Sequence, residues 1–110
     1  MEIYVINKKL KKVLDDRNEI IRKYGSKMAQ KISQRIDDMK AAENLEVLMN
    51  LPGNHHPLKG DRKGQFACGL VQPYRLIYRP GNDPLPMNDD CMLIYSEITI
   101  IDILGIVDYH

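Results

Sequence analysis

The sequence predicts an α+β fold: an N-terminal strand and an αα-hairpin packed on a small antiparallel sheet of four or so strands. Two observations lead there. Apolar residues in the first half recur at helical spacing, whereas the second half alternates apolar and polar residues as strands do. The two kinds of segment are also grouped rather than interleaved, which separates α+β from α/β architectures. A length of 110 residues sets the scale at one domain, 1–110, large enough to bury a core without metal or disulfides. An apolar fraction of 44% and a charged fraction of 28% exclude a chain that is disordered by composition.

Glu2 to Ile6 reads as a short strand, because Ile3, Tyr4, Val5 and Ile6 supply β-branched and aromatic residues. Leu10, Val13, Leu14, Ile20, Ile21 and Tyr24 then follow a helical period with an interruption at Arg17. Gly25 is placed to end that helix in a left-handed cap, and Ser26 to cap the next. In the second helix Met28, Ile32, Ile36 and Met39 form the apolar stripe, with Lys27, Gln30, Lys31, Gln34, Arg35 and Asp38 expected to face water. Leu45 to Leu51 adds a helical turn before Pro52-Gly53 breaks it. Pro57 to Gly60 is a short extended piece, Gln65 to Val71 a strand, and Tyr74 to Arg79 another whose residues alternate between two faces. The Gln72-Pro73 pair marks a tight turn between them. Pro80 to Asp90 is a loop by its Pro, Gly and Asn content, Ser96 to Thr99 is ambiguous, and Ile100 to Tyr109 is strongly β-like.

Lys and Arg number 16 against 15 Asp and Glu, a formal net charge of +1. The sum hides an asymmetry. From His55 to Arg79 the charged residues are Lys59, Arg62, Lys63, Arg75 and Arg79 against the lone acid Asp61. From Pro80 onward there is no Lys or Arg, only Asp83, Asp89, Asp90, Glu97, Asp102 and Asp108. A basic middle and an acidic tail are expected to form two surfaces, the first suited to a polyanion. No apolar run approaches the ~20 residues that span a bilayer, and lysines occupy the place of a signal peptide's apolar segment, so the expected location is the cytoplasm. With two cysteines, Cys68 and Cys91, and a reducing compartment, both thiols are expected to be free.

Gly60-Asp61-Arg62-Lys63-Gly64 lacks the Gly-Lys-Ser/Thr ending of a phosphate-binding loop. His55, His56, Cys68, Cys91 and His110 show no zinc-ligand spacing, so no metal and no cofactor are expected. Three strings remain: His56-Pro57-Leu58-Lys59-Gly60-Asp61-Arg62-Lys63-Gly64-Gln65-Phe66, then Pro73-Tyr74-Arg75-Leu76-Ile77-Tyr78, then Asp108-Tyr109-His110. Together they resemble the RelE superfamily of toxins from type II toxin–antitoxin systems and, within it, the HigB-like branch of plasmid maintenance killer proteins. The order of strand, helices and strands agrees, so the resemblance extends over essentially the whole chain. The long Pro80–Leu93 loop departs from compact members.

The resemblance implies a ribosome-dependent mRNA endoribonuclease, with a HigA-like helix-turn-helix antitoxin, the ribosome and mRNA as partners, and operator DNA reached only through the antitoxin. It places the catalytic positions on His56, Lys59, Arg75, Tyr109 and His110. The chemistry is consistent with those residue types. RNA carries its own nucleophile in the 2′-hydroxyl, and cleavage needs a base, an acid and fixed positive charge at phosphorus. Arg75 suits the phosphate clamp, since guanidinium stays charged and grips two oxygens; the alternative is a strand arginine paired with Asp102 or Asp108. His56 and Lys59 share the candidacy for base, and Lys59 is otherwise purely electrostatic. Tyr109 either stacks on a base, positions substrate or gives a proton, or else covers the sheet edge. His110 is either the acid or a frayed end. Arg62, Lys63 and Arg79 are read as RNA-phosphate contacts without chemical roles. A different class of function is a non-enzymatic module that binds the antitoxin as co-repressor.

Overall fold

The computed structural model describes residues 1–108, so Tyr109 and His110 lie outside the described residues. The elements are β1 (Glu2–Val5), α1 (Lys8–Leu14), α2 (Arg17–Tyr24), α3 (Ser26–Ala41), α4 (Leu45–Met49), β2 (His56–Pro57), β3 (Phe66–Gly69), β4 (Tyr74–Pro80) and β5 (Ile100–Asp108). Short 3₁₀ turns cover Gly60–Arg62 and Tyr95–Glu97. The strands form one five-stranded sheet in the order β1-β5-β4-β3-β2. From β5 to β2 every pairing is antiparallel, as expected; β1 joins the far side of β5 in parallel, with Ile3 opposite Ile101. The helices between β1 and β2 supply the long crossover that lets the first strand join the last in parallel.

Helix boundaries follow from local chemistry. Asn7 accepts from the Leu10 amide and starts α1. Asp16 accepts from the Asn18 amide and starts α2, so the interruption read at Arg17 is a true break between two helices. Gly25 does take a positive φ of 91°, but with ψ 164° it is not the left-handed helical cap. Ser26 is already the first residue of α3, whose N-cap is Gly25 without a side-chain hydrogen bond.

The helices cover one face of the sheet. Met28, Ile32 and Met39 of α3 and Leu45 and Leu48 of α4 pack on Phe66, Cys68, Leu76, Tyr78, Ile101 and Ile103. Each such large side chain contributes roughly 1.5–3 kcal/mol on leaving water. Tyr78 stacks on Phe66 with centroids 5.8 Å apart, and Tyr95 meets Phe66 edge-on at 5.6 Å.

The expected stripe of α3 needs one correction. Arg35, read as facing water, is 8% exposed, while Ile36 is only partly buried. Met28, Ile32, Arg35 and Met39 follow the four-three-four spacing of a buried helix face, so Arg35 occupies a core position. No helix among the described residues is long and apolar enough to cross a membrane.

Candidate functional site

The face of the sheet turned away from the helices is set by strand register. His56 lies opposite Ala67 and Ala67 opposite Ile77; two residues along, Gly69 lies opposite Arg75 and Arg75 opposite Val107. Directly opposed residues point to the same side, and so do residues two apart on one strand. His56, Arg75 and Arg79 therefore share this open face. Two strand spacings of about 4.8 Å and an offset of two residues put the His56 and Arg75 Cα atoms about 12 Å apart. Ala67 and Gly69 of β3 stand between them on this face, and Ala67 and its neighbour Ile77 on β4 are both buried, 0% and 1% exposed.

His56 is oriented by the turn that precedes β2. Gly53 and Asn54 both take positive φ, 123° and 54°. That turn brings the Asn54 carbonyl to 2.7 Å from His56 Nδ1. A carbonyl only accepts, so Nδ1 donates here and Nε2 is the nitrogen left to accept. That is the tautomer a general base needs.

Its neighbour His55 belongs to the interior. It is 8% exposed, and its Nδ1 shares a 2.8 Å hydrogen bond with the Tyr78 hydroxyl. Burial holds this imidazole down at about 4, helped by the Arg35 guanidinium and by His56. His55 Nε2 has no hydrogen-bond partner among the described residues. Burial also raises the Tyr78 phenol above its usual range. Cys68 is buried on the same side, its thiol pushed up to about 12, which makes it a packing residue. Cys91 is free as well and exposed.

The remaining predicted residues divide. Lys59 is exposed and stands immediately before the 3₁₀ turn Gly60–Arg62 that follows β2. Arg62 is exposed at that turn and donates to the Gln65 side chain (3.2 Å). Lys63 instead lines a largely apolar groove with Phe66, Met87, Met92 and Tyr95, formed with the long loop. Arg79 pairs with Asp102 directly across β4 and β5 at 3.5 Å. This corrects the picture of two separate charged surfaces: β5 carries its acids back beside the basic strand. It also assigns Asp102 to Arg79, and none of the ion pairs among the described residues engages Arg75. Tyr109 and His110, candidate catalytic residues by sequence, lie outside the described residues.

One part of the neighbourhood escapes a reading by motif. A cleft of about 310 Å³ at the end of the sheet is lined by Lys31 and Arg35 of α3, Gly53, Asn54, Gly69, Leu70, Gln72 and Arg75. The core-like spacing of Arg35 was the available signal for it. Among the described residues, no group of three His, Cys, Asp or Glu side chains is placed to hold a metal ion.

The fold has a counterpart among solved structures. A YoeB/ParE toxin from Agrobacterium tumefaciens superposes with a TM-score of 0.61 over 100% of both chains, at 17% sequence identity. The chain has the fold of that toxin. The predicted RelE-like architecture of helices on one face of a sheet is thereby borne out, with the order β1-β5-β4-β3-β2 now explicit. No protein-family model and no curated protein matches the sequence.

Proposed function

We propose that this chain, 1–110, is a single toxin domain of a type II toxin–antitoxin system and that it cleaves mRNA on the ribosome. The observation that carries the reading is the placement of His56 and Arg75 on one open sheet face, with Arg75 outside every ion pair among the described residues. An arginine on a strand beside an acid-bearing strand, in none of the ion pairs among the described residues, is suited to an external anion. The full-length likeness to a YoeB/ParE toxin supports the toxin role and, with it, a cognate antitoxin as partner. The HigB-like placement and the HigA-like partner rest on the three sequence strings.

In the proposed reaction Arg75 grips the scissile phosphate and stabilises the charge that grows on it. His56 Nε2 takes the proton of the 2′-hydroxyl, whose oxygen attacks the adjacent phosphorus. The bond from phosphorus to the 5′-oxygen breaks, and that oxygen receives a proton from Tyr109 or His110, leaving a 2′,3′-cyclic phosphate and a 5′-hydroxyl. Lys59 adds positive charge from the edge of the face. Arg62 and Arg79 hold flanking phosphates, and Lys63 contacts the strand beyond them.

Arg75→Ala tests this. Removing the clamp should lower cleavage of ribosome-bound mRNA by about 10²–10³-fold, by analogy with loss of one oxyanion donor. Expression of the wild type should arrest growth and expression of the variant should not, at unchanged far-UV circular dichroism. Arrest by both proteins, or intact ribosome-bound mRNA under the wild type, would defeat the reading.

A further inference from the structure

The cleft at the end of the sheet joins two layers of the fold. Lys31 and Arg35 reach it from α3, on the helix-covered side, and Arg75 reaches it from the open face. The connection passes Gly69, which has no side chain to block it and lies opposite Arg75.

The cleft is built rather than incidental. Arg35 Nε donates to the Gly69 carbonyl at 2.8 Å, and Nη1 to the Pro52 carbonyl at 3.4 Å. The Gly53 amide segment closes the other side, its carbonyl accepting from the Gly69 amide at 2.7 Å. A Cβ at Gly53 would stand 2.8 Å from Arg35 Nε, so only glycine lets the guanidinium lie there. Arg35 is therefore fixed in place before any ligand arrives.

Its electrostatics are one-sided. Lys31 and Arg35 are four residues apart on one helix face, a spacing at which like charges repel. Arg75 brings a third cation, and no Asp or Glu lines the cleft. Arg35 Nη1 also forms a long ion pair with Asp38 at 4.0 Å, a side chain that is not part of the lining. Lys31 is half-buried, and none of the ion pairs among the described residues includes it. Three cations gathered round an open cavity, with one of them pre-positioned by backbone carbonyls, form a site for an anion. The volume is at the small end of ligand sites, about 300–1,000 Å³, which fits a phosphate with part of its sugar.

We infer that this cleft binds a backbone phosphate of the RNA strand next to the one held by Arg75, and that Lys31 and Arg35 set the path of the strand away from the scissile bond. The inference rests on RNA being the substrate of the open face. Lys31 and Arg35 are positioning residues in it, with Lys31 the one open to substitution without loss of the fold.

The test uses the full-length chain labelled with ¹⁵N and two probes, inorganic phosphate and a short single-stranded RNA blocked against cleavage by 2′-O-methyl groups. Both should shift the Gly53 and Gly69 amides and the Arg35 Nε–H resonance. Lys31→Gln should weaken both effects severalfold and lower the slope of log affinity for RNA against log salt by about 0.7, the loss of one single-strand phosphate contact. Lys40→Gln, an exposed charge near the end of the same helix, should change neither. Unmoved cleft resonances, or equal effects of the two substitutions, would overturn the site. Shifts with phosphate but not with RNA would make it a site for free phosphate and overturn the RNA path. The toxin reading is judged separately, by growth arrest with wild type and Arg75→Ala.

Discussion

The two faces of β4 are one residue apart in register and opposite in what they do with polar groups. Leu76 and Tyr78 point into the helix-covered side, where neighbouring polar groups are neutralised: His55 is held down at about 4 and the Cys68 thiol is pushed up to about 12. Arg75, half-buried, and Arg79, exposed, point to the other side. The difference teaches where to look for chemistry. A titratable group on the closed face is tuned by desolvation towards its uncharged form and serves packing. A cation on the open face carries no such penalty and is available to a ligand. Adjacent residues His55 and His56 show the rule most simply, since one step along the chain moves an imidazole from the interior to the open face.

Three perturbations sharpen the contrast, in order of expected effect. Leu76→Ala should cost about 2–5 kcal/mol, because a fully buried leucine leaves a cavity between sheet and helices; urea denaturation measures it, and a loss below about 1 kcal/mol would mean that the closed face is not tightly packed. Acidification comes next. His55 is neutral in the folded chain down to about pH 4 but takes up a proton near 6.5 when unfolded. The unfolded state thus binds more protons between those values, so stability is full above about pH 6.5 and falls as pH drops towards 4, by up to roughly 3 kcal/mol. His55→Gln should flatten that part of the profile; parallel profiles for variant and wild type would assign the dependence to other groups. The smallest effect belongs to the open face. Arg79→Ala removes a 3.5 Å ion pair between a half-exposed arginine and the half-buried Asp102 and should change stability by about 1 kcal/mol or less. A larger loss would show that the open face, too, contributes to folding.

The alternation of Tyr74 to Arg79 is enough to put Arg75 and Arg79 on one side of a strand, and the break at Pro52-Gly53 marks the end of the helical half. Less could be read where the partner was distant in sequence. Arg35 carries a charge on a helix that is otherwise a plain amphipath, so charge pointed to water. The carbonyls that accept from it belong to Pro52 and Gly69, which are 17 and 34 residues away. Arg79 and Asp102 likewise meet only because β5 returns beside β4, and the parallel pairing of β1 with β5 leaves no local signature in either strand. The choice between His55 and His56 as the interior residue was also open, since register on a two-residue strand is set by its neighbours.

By itself, the sequence determined what is local: the segregation of helical and strand periods, the break at Arg17, the loop from Pro80, and the basic strings that resemble a toxin's active site. These depend on backbone preference and on side-chain spacing of a few residues, which are present in any short window of the chain. Only the tertiary structure decided which charges are engaged inside the protein and which are left for a ligand. Asp102 went to Arg79, His55 to Tyr78, and Arg35 to two backbone carbonyls at the rim of a cleft, while Arg75 was left facing outward. Those outcomes follow from strand register and from the approach of glycines at 53 and 69, which bring together groups that the chain holds far apart.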